Sequence, residues 1–349
     1  MLRRHFPSLV GGLVLLPLVV AEGAAGEDEA TGASFGLKYQ AIEDWNIILP
    51  RERWTSFTDE IPIAHADGDG FAVERAGLLA IEVDTNADGE VDAKVRGGTG
   101  FLKLRGRNDE GETFNYAVRF EGDGKSWKFA SSGAMVGKLD GTLVRVIDQD
   151  NNGSYDDYGV DAMIVGKGNA ASLLSRVVNA GGKLHELEIS RDGTRATFRP
   201  YAGQTAVLNA TSRYASNGKL IAAVVSCVEN EYHFNAAGTK SLTVPAGTYE
   251  LSSGYVKRAG ESVHVRTGKM PAFELRPGTE RVLEWGGPVV AEFDYEVEEE
   301  TITVAPQVAF YGRAGEEYHS FWPEAKSPKI IVTDKRTRKE LTSGRFGGC

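Results

Sequence analysis

Two short acidic loops carry oxygen side chains at a spacing that suits a bound cation. The first spans residues 84–92 and the second spans residues 148–156, and both follow the pattern Asp-x-Asp/Asn-x-Asp/Asn-Gly-x-x-Asp. The candidate ligands are Asp84, Asn86, Asp88, Glu90 and Asp92 in the first loop, and Asp148, Asp150, Asn152, Ser154 and Asp156 in the second. Calcium prefers about six to eight oxygen ligands, so this pattern predicts two calcium sites.

The glycine at the sixth place of each loop supports this interpretation. Gly89 and Gly153 permit the sharp turn that a wrapped cation requires, and the residue after each glycine can offer its backbone carbonyl. The loops resemble the first nine positions of the EF-hand loop and the short loops of thrombospondin type 3 and dockerin modules. The resemblance implies that calcium is the cofactor.

Both loops depart from the EF-hand pattern at the twelfth place. Val95 and Gly159 stand there instead of a bidentate glutamate. Asp157 or Asp161 can replace that ligand in the second loop, whereas the first loop has no obvious substitute. The segments before the loops are apolar and rich in β-branched residues, which predicts strands where an EF-hand has helices. A pair of polar hairpin turns is the competing interpretation, because Asp, Asn and Gly also dominate turns.

Charge and length limit the class of protein. The chain has 349 residues and a formal net charge of −10. Nucleic-acid binding normally requires clustered Lys and Arg, so we expect no nucleic-acid partner. The length allows two or three domains with their own cores.

Residues 1–25 have the composition of a secretory signal peptide. Arg3 and Arg4 precede an apolar run at 9–21, and small residues follow it. The run is short and contains a proline, so we expect no stable membrane span after cleavage, with a retained N-terminal anchor as the alternative. The predicted location is secreted, periplasmic or at the cell surface. Export also permits a disulfide between Cys227 and Cys349, whose pairing the sequence leaves open.

The acidic loops lie in longer segments that follow the same order. Each loop is followed by strands and then by a hairpin with an Asp-Gly turn, in residues 120–129 and 189–198. The repetition predicts an internal duplication over residues 76–205, as a pair of sheets or a barrel-like domain, although hairpins also resemble one another by chance. Residues 26–75 are expected to cover one edge or face.

Beyond residue 205 the pattern is typical of β-sandwiches. The run Val-Pro-Ala-Gly-Thr-Tyr at 244–249 resembles a segment of prealbumin-like and carboxypeptidase-regulatory-like sandwich domains, which implies an accessory or scaffold module. Residues 206–292 are predicted to form a sandwich and residues 293–349 a small immunoglobulin-like region. A cluster of bulky residues either plugs the end of a sandwich or stacks on sugar rings: Tyr318, Phe321, Trp322 and Pro323.

Catalytic motifs are absent from the sequence at recognisable spacing. The run Val-Asp-Thr at 83–85 resembles the start of the aspartic-protease motif, but Asn86 stands where that motif has glycine, and the second loop departs further. The additional carboxylates fit cation coordination better than a pair that shares one proton.

The sequence therefore predicts an exported, all-β, calcium-binding protein, and it favours a non-enzymatic role over an enzymatic one. Its expected role is structural, adhesive or ligand-binding, with a cell-surface protein or a glycan as the candidate partner. The alternative is a secreted hydrolase, either a glycosidase or a protease, with a C-terminal accessory sandwich. Two carboxylates distant in sequence can form a glycosidase site that linear inspection does not identify.

Overall fold

The computed structural model describes residues 33–299, 301–324 and 327–346, and all secondary-structure elements in these ranges are β-strands. The predicted all-β class is confirmed. The predicted signal peptide and Cys349 lie outside the described residues. Within these ranges no helix is long and apolar enough to span a bilayer.

The third to the tenth strands of the described chain form a sandwich that we call the inner sandwich. The described chain begins with β1 (Ala33–Gly36), β2 (Lys38–Ala41), β3 (Thr55–Phe57), β4 (Glu60–Ile61), β5 (Phe71–Gly77), β6 (Ala80–Val83), β7 (Ala93–Arg96), β8 (Thr99–Arg107), β9 (Thr113–Gly122) and β10 (Trp127–Ser131). Strands β3 to β10 make two sheets, in the orders β4-β5-β6-β7 and β3-β10-β9-β8. Side chains from both sheets, among them Phe71, Leu104 and Phe129, form one buried core.

The next strands complete an outer sandwich. They are β11 (Gly133–Leu139), β12 (Thr142–Ile147), β13 (Ala162–Val165), β14 (Ser172–Leu173), β15 (Val177–Ala180), β16 (Lys183–Ile189) and β17 (Arg195–Pro200). With β1 and β2 they make the sheets β14-β13-β12-β11-β2 and β1-β17-β16-β15, around a core that includes Met135, Val144 and Leu187. The inner sandwich is therefore inserted in the chain between β2 and β11.

The same strand order occurs in both sandwiches. The first strand borders the last (β3 beside β10, β1 beside β17), and the second strand borders the third (β4 beside β5, β2 beside β11). The acidic loops join the matching pairs β6–β7 and β12–β13, and the Asp-Gly turns join β9–β10 and β16–β17. Strands from the segment expected to act as a cover thus supply edge strands. The sheets are open, so the described residues contain no closed barrel.

The C-terminal part forms further sheets around a separate core. Its strands are β18 (Thr205–Asn209), β19 (Tyr214–Ala215), β20 (Lys219–Cys227), β21 (His233–Asn235), β22 (Leu242–Pro245), β23 (Gly247–Arg258), β24 (Glu261–Arg266), β25 (Phe273–Leu275), β26 (Glu280–Val282), β27 (Trp285–Gly286), β28 (Val290–Glu292), β29 (Tyr295–Glu298), β30 (Thr301–Val304), β31 (Ala309–Tyr311), β32 (Glu317–Trp322), β33 (Lys329–Thr333) and β34 (Glu340–Arg345).

The largest C-terminal sheet has eight strands, in the order β21-β20-β23-β24-β32-β31-β28 with β25 beside β23. Smaller sheets, β22-β18-β26 and β19-β27, contribute to the same core, which contains Trp285, Tyr249 and Leu208. The pairs β29–β30 and β33–β34 are hairpins. The segment predicted to be sandwich-like is therefore built of several sheets around one core.

Candidate metal centre

Three carboxylates converge at the ends of β12 and β13. Ligand oxygens of Asp148, Asp150 and Asp161 lie within 4.8 Å of one another. Asp148 follows β12 and Asp161 precedes β13, and the antiparallel pair Ile147–Ala162 brings these two residues together. We call these residues the acidic triad. In the described ranges, no other group of three or more His, Cys, Asp or Glu side chains comes this close.

The acidic triad contains carboxylate oxygens that the protein itself leaves without partners. Asp148 and Asp161 have no exposed surface, and Asp150 is partly buried. One oxygen of Asp150 and one of Asp161, Oδ1 in both, are buried with no hydrogen-bond partner in the described part of the chain. The other oxygen of Asp161 accepts a hydrogen bond from the Asp157 backbone N–H at 3.2 Å. Burial of an uncompensated carboxylate is expensive, so this cluster calls for protons or a cation.

The pKa values of two triad carboxyls are raised, which also indicates that ionised carboxylates are unfavourable here without a cation. Burial raises the pKa of Asp148 to about 7; the Tyr116 hydroxyl opposes this shift and the Asp150 charge adds to it. Burial also raises the pKa of Asp161 to about 9, with a further contribution from Asp148. A divalent cation would lower these pKa values, because its positive charge favours the ionised over the protonated carboxyl groups.

Asp148 is held by its own loop and by the inner sandwich. Its Oδ1 accepts from the Asn151 backbone N–H at 2.6 Å, and its Oδ2 accepts from the Gly153 backbone N–H at 2.7 Å. The same Oδ2 accepts from the hydroxyl of Tyr116, on β9, at 2.7 Å. One triad carboxylate therefore touches both sandwiches.

Asn151 makes the second connection between the loop and the inner sandwich. Its Oδ1 accepts from the Ser131 backbone N–H at 2.7 Å. Its amide donates to the Arg53 carbonyl and the Thr55 hydroxyl, each at 3.1 Å. The backbone at Asn151 has φ of 66°, in the left-handed region that Asn tolerates better than most residues. The loop is thereby fixed against the inner sandwich.

The two acidic loops share a backbone conformation. At the fourth place Ala87 and Asn151 have φ of 62° and 66°, and at the sixth place Gly89 and Gly153 have φ of 86° and 82°. The side chain of Asp84 accepts from the Ala87 and Gly89 backbone N–H groups at 2.8 and 2.9 Å, as its counterpart does in the second loop. The repeated sequence thus specifies a repeated loop structure.

The first loop directs its other side chains differently. Asp92 accepts from the backbone N–H and the hydroxyl of Thr85, at 3.1 and 2.8 Å. The oxygens of Asn86 and Asp88 accept loop N–H groups, and Glu90 is exposed. The predicted ligands of this loop therefore remain spread over its surface, apart from the buried Asp84.

The remaining predicted ligands of the second loop lie beside the triad. Asn152 accepts from the Ser154 backbone N–H and donates to Asp157 Oδ2, both at 2.7 Å. The Ser154 hydroxyl accepts from Arg191 Nε at 3.2 Å. Asp156 is half-buried and is not part of the triad.

The structure thus brings together two of the loop ligands predicted from sequence, Asp148 and Asp150, with Asp161, one of the two residues named as substitutes for the missing twelfth-place ligand. Sequence analysis did not identify Tyr116 or Asn151. Tyr116 lies in an ordinary strand that gives no signal of its role. The one sequence feature that could have indicated a special role for Asn151 is that the first loop has Ala87 at the same place.

Comparison of the chain with models of known protein families, with curated proteins and with solved structures gave no match.

Proposed function

We propose that the protein binds calcium at the acidic triad and that the ion stabilises the contact between the two sandwiches. The observation that carries this proposal is a buried carboxylate cluster in which Asp150 and Asp161 each have an unpartnered oxygen. Tyr116 and Asn151 connect the same loop to the inner sandwich. A cation that orders this loop also orders that contact.

The donor set favours calcium over transition metals. All three triad side chains offer oxygen, which hard cations prefer, whereas zinc sites are usually built with His or Cys. The loop sequence also has the spacing that resembles known calcium loops. Magnesium shares the preference for oxygen but tends to keep several of its waters, which suits a buried cluster less well.

The biological role in this proposal is structural or ligand-binding, on an exported protein at the cell surface or in the periplasm. The repeated strand order supports a duplicated pair of calcium-loop sandwiches. In this proposal the C-terminal sheets serve as an immunoglobulin-like or prealbumin-like scaffold. A hydrolase that uses the triad is disfavoured, because Asp148 and Asp161 have no surface that a substrate can reach.

Calorimetric titration tests the proposal. Chelator-treated protein titrated with calcium chloride is expected to show a saturable site, with Kd on the order of 10⁻⁴ M. Asp161→Asn should abolish that site, whereas Asp156→Asn, a matched change in the same connection between β12 and β13, should leave the affinity within about threefold. Absence of binding by the wild-type protein, or equal weakening in both variants, would remove the triad as the site.

A further inference from the structure

An open groove in the C-terminal sheets provides a second candidate site, made by residues other than the metal centre. The groove encloses about 460 Å³ and lies between the turn before β20, the hairpin β23–β24 and the end of β32. This volume falls within the range of about 300–1,000 Å³ that is common for small-molecule sites.

Trp322 is the exposed large apolar side chain among the described residues that line the groove. It is 68% exposed, although Trp is usually well buried in folded proteins. It ends β32 opposite Ser262 of β24, where the pairing of the two strands is irregular. The backbone at Ser320, two residues earlier, has φ of 51°, in the left-handed region. The irregular strand end accompanies an indole that is left accessible at the groove.

The neighbours of Trp322 behave as core residues. Tyr318 is buried, and Phe321 packs edge-to-face against Phe310 with ring centroids 5.4 Å apart. Both belong to the C-terminal core or pack against it. The aromatic cluster is thus divided: Tyr318 lies in the core, Phe321 packs against the core and also lines the groove, and Trp322 faces solvent.

Several polar residues that line the groove beside Trp322 have side chains without partners among the described residues. The side chains of Asn217, Arg258, Glu261 and Glu324 line the groove. None of them has a hydrogen-bond or ion-pair partner within residues 33–299, 301–324 and 327–346. Arg donates only, a carboxylate accepts only, and Asn does both. The groove therefore offers every kind of hydrogen-bonding group beside one aromatic face.

We propose that this groove binds a neutral saccharide, with a sugar ring stacked on Trp322 and its hydroxyls bonded to Asn217, Arg258 and Glu261. A sugar ring has a C–H face that suits an indole, and its hydroxyls both donate and accept hydrogen bonds. The two carboxylates of the groove outnumber its one guanidinium, which disfavours phosphorylated or acidic ligands. This inference goes beyond calcium binding and does not depend on it.

A proline-rich peptide is a less suitable occupant. Such peptides dock in grooves lined by several aromatic side chains, which hold the polyproline helix. Trp322 is the one exposed aromatic side chain among the described residues that line this groove. The single exposed indole of Trp322 can stack on one saccharide ring, whereas it offers too few aromatic contacts for an extended proline-rich peptide.

Binding of defined oligosaccharides tests the inference. The full chain is titrated with cello-, manno-, xylo- and chito-hexaose, with decaproline and with a heparin hexasaccharide as contrasting probes. At least one neutral hexaose should bind, and Trp322→Ala should weaken that binding by at least about tenfold. Trp322→Phe should retain most of the affinity, since it keeps an aromatic face.

Two controls separate this site from the rest of the protein. Tyr295→Ala removes another exposed aromatic side chain, 62% accessible, and should not change saccharide affinity. Asp161→Asn should not change it either, so failure at the metal centre is distinguishable from failure at the groove. The inference is overturned if no neutral hexaose binds, if Trp322→Ala binds as the wild type does, or if decaproline or heparin binds through Trp322 instead.

Discussion

If calcium binds at the triad as proposed, we expect Asp161 to have opposite effects on the stability of the metal-free and the metal-bound protein. Its buried carboxylate lies beside Asp148 and Asp150, with one oxygen unpartnered in the described residues. Without a cation these groups repel one another or must take up protons, whereas with a cation they are ligands. We therefore expect this side chain to destabilise the metal-free protein and to stabilise the calcium-bound protein.

Asp161→Asn is expected to change stability with opposite sign in the two conditions. In chelator the variant should unfold at a higher temperature than the wild type, with a gain on the order of 1 kcal/mol, because folding no longer has to protonate a buried carboxyl whose pKa is raised to about 9. In millimolar calcium it should lose the rise in unfolding temperature that mass action gives the wild type. Scanning calorimetry measures both. A variant equally destabilised with and without calcium would show that Asp161 has only a structural role.

His233 provides a test of acid sensitivity at a different site. Its ring is 8% exposed, its Nδ1 lies 2.8 Å from the Ser226 hydroxyl, and its Nε2 has no partner in the described chain. Its pKa is lowered to about 4, chiefly by burial and in smaller part by the Arg51 charge, while Glu231 opposes the shift. The folded protein therefore requires a neutral His233.

Because the pKa of His233 is lower in the folded than in the unfolded protein, acidification should lower the free energy of unfolding. Stability from neutral His233 is complete above about pH 6.5, its ordinary unfolded value, and is lost as the pH falls from there towards 4. Between pH 7.5 and 5 the wild type should lose about 2 kcal/mol of unfolding free energy more than His233→Gln, as measured by urea denaturation at both pH values. Parallel losses in both proteins would assign the acid sensitivity to other groups.

At the scale of elements, the two loops have one conformation but different surroundings. Strand alternation and the Asp-Gly turns predicted the strands that flank the acidic loops and the repeated hairpins, but they did not predict the strands β1 to β4 in the segment expected to act as a cover. The partners of the loops were not predictable, because Tyr116 and Ser131 approach the second loop from a different sheet. Likewise, nothing in the short segment Ala33–Gly36 indicates that it pairs with residues 195–198.

Asn151→Ala tests how the second loop is anchored. The change removes three side-chain hydrogen bonds and leaves the Ser131 N–H without its acceptor, so the free energy of unfolding should fall by about 2–4 kcal/mol. Asn86→Ala, in the exposed first loop, should cost less than about 1 kcal/mol. Urea denaturation in saturating calcium compares the variants. Similar losses would mean that the second loop has no special anchoring role.

At the scale of the whole molecule, the inner sandwich interrupts the outer one. The sequence pattern reveals a repeat along the chain, but nesting depends on pairings such as β2 with β11, which are far apart in sequence. The second loop then lies where the two sandwiches meet, through Tyr116 and Asn151. A cation bound there acts on both sandwiches at once.

Hydrogen exchange should show whether calcium stabilises both sandwiches. Calcium is expected to slow amide exchange in β9 and β10 of the inner sandwich and in β12 and β13 of the outer one, because local opening there must release the ion. The C-terminal strands β20 and β23 should exchange at unchanged rates. Mass spectrometry of peptic fragments resolves these segments. Equal protection of the C-terminal strands would indicate a single global effect, and protection of the outer sandwich alone would contradict a shared site.

A crystal structure of the protein grown in about 5 mM calcium chloride would show whether the acidic triad binds the ion. The proposed site predicts one ion within about 2.3–2.6 Å of oxygens from Asp148, Asp150 and Asp161, with anomalous scattering that identifies calcium. Loop carbonyls or waters are expected to complete the coordination. A triad with no ion at that concentration, or an ion bound only in the first loop, would show that the triad is not the calcium site.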